Sequence, residues 1–119
     1  MKWWRQIYVR DAYRCQYCGG DLISDLDSWM SIELDHLRPA AGSGTNDPEN
    51  LVTSCNICNR LKGHWAPEGY ESFGREELLV LAREYVMRRR AAWTIEYLKG
   101  IEEYRMALPN LTSPPMSTV

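Results

Sequence analysis

The sequence predicts a small α+β domain held together by two pairs of cysteines, with a helix ahead of it and a long helical extension behind. Three observations carry this reading. CxxC pairs occur at Cys15/Cys18 and Cys55/Cys58, a short strand-like alternation precedes Asp35–His36, and apolar residues recur at helical spacing from Arg75 to Leu108. A chain of 119 residues with 45% hydrophobic content is one domain with a modest core.

The elements follow in order. In "KWWRQIYVRDAY", Trp3, Trp4, Ile7 and Tyr8 share a helical face, which predicts a short helix before Cys15. "CQYCGG" is a turn, where Gly19 and Gly20 can take positive φ. "MSIEL" alternates, with Ile32 and Leu34 on one face, and predicts a strand ending at Asp35. "RPAAGSGTNDPEN" is a loop rich in Gly, Pro, Asn and Asp. "SCNICNRLKG" starts a helix, with Ser54 as N-cap and Gly63 as its stop, and "HWAPEGYESFG" is a further loop. The pattern through Leu78, Leu79, Leu81, Ala82, Tyr85, Val86, Trp93, Tyr97, Leu98 and Ile101 predicts a long helical region, broken in two at Gly100 and closed by Pro109. The Pro-rich tail 109–119 has the composition of a disordered segment.

Charge is unevenly spread. Residues 1–20 carry a net +3 and residues 21–35 a net −5, within an overall −2. An acidic stretch just before Asp35–His36 suits a cation. The acidic balance excludes a strongly basic protein and disfavours tight non-specific binding to nucleic acid, which draws on Lys and Arg displacing counterions. No apolar run approaches the roughly 18 residues of a membrane span. "MKWWRQIYVRD" has no apolar core of a signal peptide. The expectation is a cytoplasmic protein with reduced thiols and no membrane partner.

Cys15, Cys18, Cys55 and Cys58 therefore read as zinc ligands: a two-residue gap turns both sulfurs of a pair toward one ion. The competing reading, a redox CxxC, needs only one pair and a surrounding βαβ pattern that is missing here. Four protein ligands leave no open position for substrate, so the ion's expected job is structural. Its binding energy, about 10–16 kcal/mol, would offset the small core.

The neighbouring residues are of another kind. Asp35 is a hard oxygen ligand and His36 a base near neutral pH. Asn50 follows the Gly-rich loop, Asn59 follows Cys58 directly, and Asn59 and Lys62 share a helical face. The ordered set is CxxC, Asp-His, Asn, CxxC-Asn, Lys.

"YRCQYCGG … LDHLRPAAGSGTNDPENLVTSCNICNRLKG" resembles the HNH endonucleases, the zinc-knuckle branch of the ββα-metal (His-Me finger) nucleases, over about residues 9–64. The third family letter is often His; here it is Asn59. The resemblance implies a ββα-metal core, expected over residues 1–70, and the helical periodicity adds an extension at 71–108 packed on it. It implies His36 as general base, Asp35 and Asn59 as ligands of one catalytic Mg²⁺ or Mn²⁺, and Asn50 as the residue that ties down the loop and so orients His36. Arg38, Arg60 and Lys62 would hold DNA phosphates. The implied reaction is phosphodiester hydrolysis in DNA, leaving 5′-phosphate and 3′-hydroxyl ends. A non-catalytic zinc module for nucleic acid or protein is the alternative, although it has no use for Asp35, His36 and Asn59 together. His64 reads as a loop residue, Arg88–Arg90 as a solvated face, and Trp93, Tyr97 and Ile101 as core or partner interface. A homodimer and a larger phage or bacterial complex both remain open as assemblies.

Overall fold

The computed structural model describes residues 2–39 and 45–108. The centre of the Gly-rich loop and the tail from Pro109 onward lie outside the described residues, and so do the expectations placed on them. Six regular elements follow in order: α1 (Trp3–Arg10), α2 (Leu26–Met30), β1 (Ile32–His36), β2 (Leu51–Cys55), α3 (Asn56–Lys62) and α4 (Arg75–Met106). This is the expected α+β class: a two-stranded sheet with helices.

β1 and β2 pair antiparallel, with Asp35 opposite Val52 and His36 opposite Leu51. β2 shows no alternation of burial, because Leu51, Val52, Thr53 and Ser54 are all buried. It is enclosed on both edges. β1 lies along one edge. On the other, Asp11 accepts from the Thr53 amide at 2.9 Å, the Gln16 amide donates to the Thr53 carbonyl at 2.9 Å, and Arg10 donates to the Leu51 carbonyl at 2.7 Å. A buried strand's backbone groups need such partners.

Between α1 and the first cysteine pair the chain reverses through Ala12 and Tyr13, both left-handed at φ 57° and 53°. Such φ values are strained for residues with a Cβ. The reversal delivers Cys15 and Tyr17 into the core. α2, which the periodicity had not indicated, is a short helix capped by Asp25, whose carboxylate accepts from the Ser28 amide at 2.8 Å.

α3 starts one residue later than its composition suggests. Cys55, not Ser54, is the N-cap: its sulfur accepts from the Cys58 amide at 3.4 Å, while the Ser54 hydroxyl donates to the Cys55 carbonyl. Gly63 ends the helix with φ 56°, as expected of a glycine stop. α4 is one unbroken helix of 32 residues. Gly100 does not divide it; a single glycine costs a helix interior only about 1 kcal/mol, and the Tyr104 ring lies over the bare Cα. Only its first half packs inward. Leu78, Leu79, Ala82 and Val86 join Cys15, Tyr17, Leu22, Leu37, Val52 and Cys58 in the core. Trp65 stacks on Tyr85 at 4.3 Å between ring centroids to seal the edge. From Ala91 to Lys99 every residue is exposed. Among the described residues, no helix is long and apolar enough to cross a membrane.

Candidate functional site

The four cysteines converge from two turns. Their sulfurs all lie within 4.8 Å of one another, and none is in a disulfide. Tetrahedral zinc with bonds of about 2.3 Å needs sulfurs about 3.8 Å apart, so this donor set fits such an ion with a small contraction. Hydrogen bonds from the Cys55 and Cys58 thiols hold Cys15 well below the usual thiol range, and the same sharing with Cys15 pushes Cys58 far above it. Four crowded thiols cannot all ionise without a cation between them. Arg90 adds charge from outside, its guanidinium 3.5 Å from the Cys58 sulfur. Among the described residues, this is the one cluster of three or more His, Cys, Asp or Glu ligands close enough to hold an ion.

Tyr17, between Cys15 and Cys18, reaches out of this site. Its buried phenol donates to a carboxylate oxygen of Asp35. Burial, with the charge on Asp35, holds that phenol well above its ordinary pKa, so it remains a donor. The same Asp35 oxygen is 3.0 Å from the Lys62 ammonium, which also donates to the His36 carbonyl at 2.8 Å. Asp35 and Lys62 are 5% and 3% exposed, so this is an interior ion pair. Burial raises the Asp35 carboxyl above the ordinary range, and the Lys62 charge pulls against it.

Adjacent residues on a strand face opposite sides. Even so, a cavity of about 280 Å³ at the end of β1 is bordered by Asp35 and His36 and by Asn59 from α3, with Pro39, Gly63 and His64 completing the rim. The Asn59 amide nitrogen donates to the Glu33 carboxylate, which leaves the amide oxygen outside that bond. The His36 Nε2 lies 2.9 Å from the Asn46 amide oxygen. An amide oxygen only accepts, so in the neutral ring this contact places the proton on Nε2 and the lone pair on Nδ1. Asn46 was not singled out from the sequence, because one Asn among several in a polar loop gives no signal.

Asn50 holds the loop that presents Asn46. Its side chain accepts from the Arg38 amide at 2.8 Å and donates to the carbonyls of Arg38 at 3.1 Å and Thr45 at 3.0 Å. It pinches together the two ends of the loop and does not itself touch the His36 ring.

Two of the expected phosphate-binding cations lie elsewhere. Lys62 is buried against Asp35, as described. Arg38 donates to the Phe73 carbonyl at 2.6 Å, tying the loop to the segment before α4, while its Nε is buried with no partner among the described residues. Both positions follow from the cost of leaving a buried carboxylate or carbonyl unpaired. Arg60 alone of the three is exposed. His64, expected as a loop residue, sits in the turn after α3 on the cavity rim.

Because Lys62 is the charge partner of a buried carboxylate, Lys62→Met should destabilise the folded chain by about 3–5 kcal/mol at neutral pH. The carboxyl pKa is already raised in the folded state and would rise further. Its penalty is therefore full above that folded pKa and relieved as pH falls toward the unfolded value. Urea unfolding of variant and parent at about pH 8 and about pH 6 checks this. A gap that widens toward acid would contradict the assignment.

Comparison with known proteins agrees on this region. Residues 15–64 match the HNH endonuclease family. The chain is 40% identical over 63 residues to a CRISPR-associated endonuclease Cas9 of Corynebacterium diphtheriae, covering 52% of this chain and 5% of that protein. It is 39% identical over 51 residues to the Cas9 of Actinomyces naeslundii, covering 42% of this chain and 4% of that protein. The chain thus corresponds to a small fraction of these relatives' length.

Proposed function

We propose, on the premise that residues 15–64 are an HNH endonuclease domain, that this chain is a metal-dependent DNA endonuclease hydrolysing phosphodiester bonds to 5′-phosphate and 3′-hydroxyl ends. The observation that carries the reading is the shared cavity: a histidine whose Nδ1 has no hydrogen-bond partner among the described residues, a carboxylate and a carboxamide border one space beside the four-thiol cluster.

In this reading His36 Nδ1 takes a proton from water, while its Nε2–H holds to Asn46. Asn50 keeps the loop closed, so that Asn46 stays in place. Tyr17 and Lys62 keep the Asp35 carboxylate ionised and aimed. A divalent ion held by Asp35 and Asn59, Mg²⁺ or Mn²⁺ for an all-oxygen donor set, supplies positive charge for the phosphoryl oxygens when bound. The four cysteines hold structural zinc. Residues 1–70 form the nuclease core and 71–108 its helical extension; DNA is the partner, in the cytoplasm.

Plasmid nicking with Mg²⁺ or Mn²⁺, against EDTA and against no added metal, tests the reading. Folded, zinc-loaded protein that nicks under none of these conditions would leave a non-catalytic zinc module in its place.

Asn59 gives a finer prediction. Its amide oxygen is a neutral donor whose ligating power does not change with pH, whereas an imidazole must stay deprotonated. Asn59→Ala should raise the Mg²⁺ concentration needed for half-maximal cleavage and not simply lower the maximum. Asn59→His should shift preference toward Mn²⁺, Co²⁺ or Ni²⁺. An unchanged metal requirement in Asn59→Ala would remove it from the ligand set.

A further inference from the structure

The core-facing stripe of α4 does not stop where the core stops. Leu78, Ala82 and Val86 are buried, and the same stripe continues through Trp93 and Tyr97, which are 60% and 54% exposed. Where α4 overhangs, it forms a groove of about 470 Å³ with the outer face of α3, between Ile57, Arg60 and Leu61 on one side and Arg89, Trp93 and Tyr97 on the other. No acidic side chain lines it. Among the described residues, neither Arg60 nor Arg89 is in a salt bridge, whereas Arg90 is turned to the Cys58 sulfur.

A groove that seats a protein helix draws its affinity mainly from apolar lining. This one combines exposed aromatic faces with two cations that have no carboxylate. That chemistry fits a polyanion carrying flat, stackable rings. A duplex buries the faces of its bases, so only an unpaired strand can use both features. Asn59 and Arg60 are consecutive on α3, with Cα atoms about 3.8 Å apart. Consecutive helical residues point about 100° apart, so a strand leaving the cavity at Asn59 reaches Arg60 and the groove by bending around α3.

We infer that this groove holds an unpaired stretch of the DNA strand flanking the cut, with Trp93 and Tyr97 stacking on bases and Arg60 and Arg89 contacting phosphates. The identity of the strand rests on the nuclease reading; the chemistry of the groove does not. The occupied length is short, and a chain of net charge −2 adds little long-range attraction. Binding is local and depends on stacking.

Fluorescence anisotropy of the zinc-loaded full chain without added Mg²⁺ tests this, using labelled single-stranded oligothymidine of about 15 nucleotides, within the known site sizes, and a duplex of equal length. Trp93→Ala should lose single-strand affinity by roughly five- to hundredfold, the scale of one stacked base, with duplex affinity unchanged and Trp93→Phe restoring most of it. Arg89→Gln should lower the slope of log affinity against log salt by about 0.7, while Trp93→Ala leaves the slope alone. Unchanged single-strand affinity in Trp93→Ala would overturn the inference. So would a loss of self-association in sedimentation with oligonucleotide binding intact, which would assign the groove to a second copy. Parallel plasmid nicking separates the two readings. Nicking without single-strand binding removes the groove alone, and Trp93-dependent single-strand binding without nicking removes the nuclease reading alone.

Discussion

Cys55→Ala is expected to release the bound zinc and to leave a chain without a cooperative unfolding transition. Cys55 has two jobs: its sulfur is one of the four within 4.8 Å, and it is also the N-cap acceptor that starts α3. Structural zinc contributes about 10–16 kcal/mol, as large as the whole stability of an ordinary domain. The core here is small, and two of its buried members, Cys15 and Cys58, are themselves in the cluster. Removing one ligand therefore takes away the main restraint joining the turn at 15–18 to α3. Elemental analysis and thermal unfolding followed by circular dichroism check this. A soluble variant that unfolds cooperatively at the parent's temperature, with no zinc in either protein, would refute the metal assignment.

His36→Ala is expected to lower cleavage by about 10²–10⁴-fold, the scale of losing a positioned general base, with zinc content and unfolding unchanged. The separation of effects follows from the local structure. The His36 backbone carries the strand, paired opposite Leu51 and accepting from Lys62, and truncating the ring leaves both contacts. The ring's one hydrogen-bond partner among the described residues is Asn46. Near-normal cleavage in His36→Ala would move the base elsewhere on the cavity rim, with His64 the nearest imidazole there.

The amino-acid sequence alone determined what is short-range. Each CxxC pair closes on itself through a backbone amide three residues on, Cys18 to the Cys15 sulfur and Cys58 to the Cys55 sulfur, so the knuckles were legible. The α1 periodicity, the Gly63 stop and the Asp35–His36 pair at the end of β1 are equally local. Tertiary structure decided everything that depends on a partner distant in the chain. β2 gave little strand signal, since a strand buried on both faces has no reason to alternate. Lys62 reads as a phosphate contact until Asp35, 27 positions earlier, is brought to 3.0 Å from it. Arg38 reads as a phosphate contact until the Phe73 carbonyl arrives. Asn46 becomes the partner of His36 only because Asn50 draws the loop shut. For Lys62 and Arg38 the physical reason is the same. A polar group's role is set by whether burial removes its water, and burial is a property of the assembled chain.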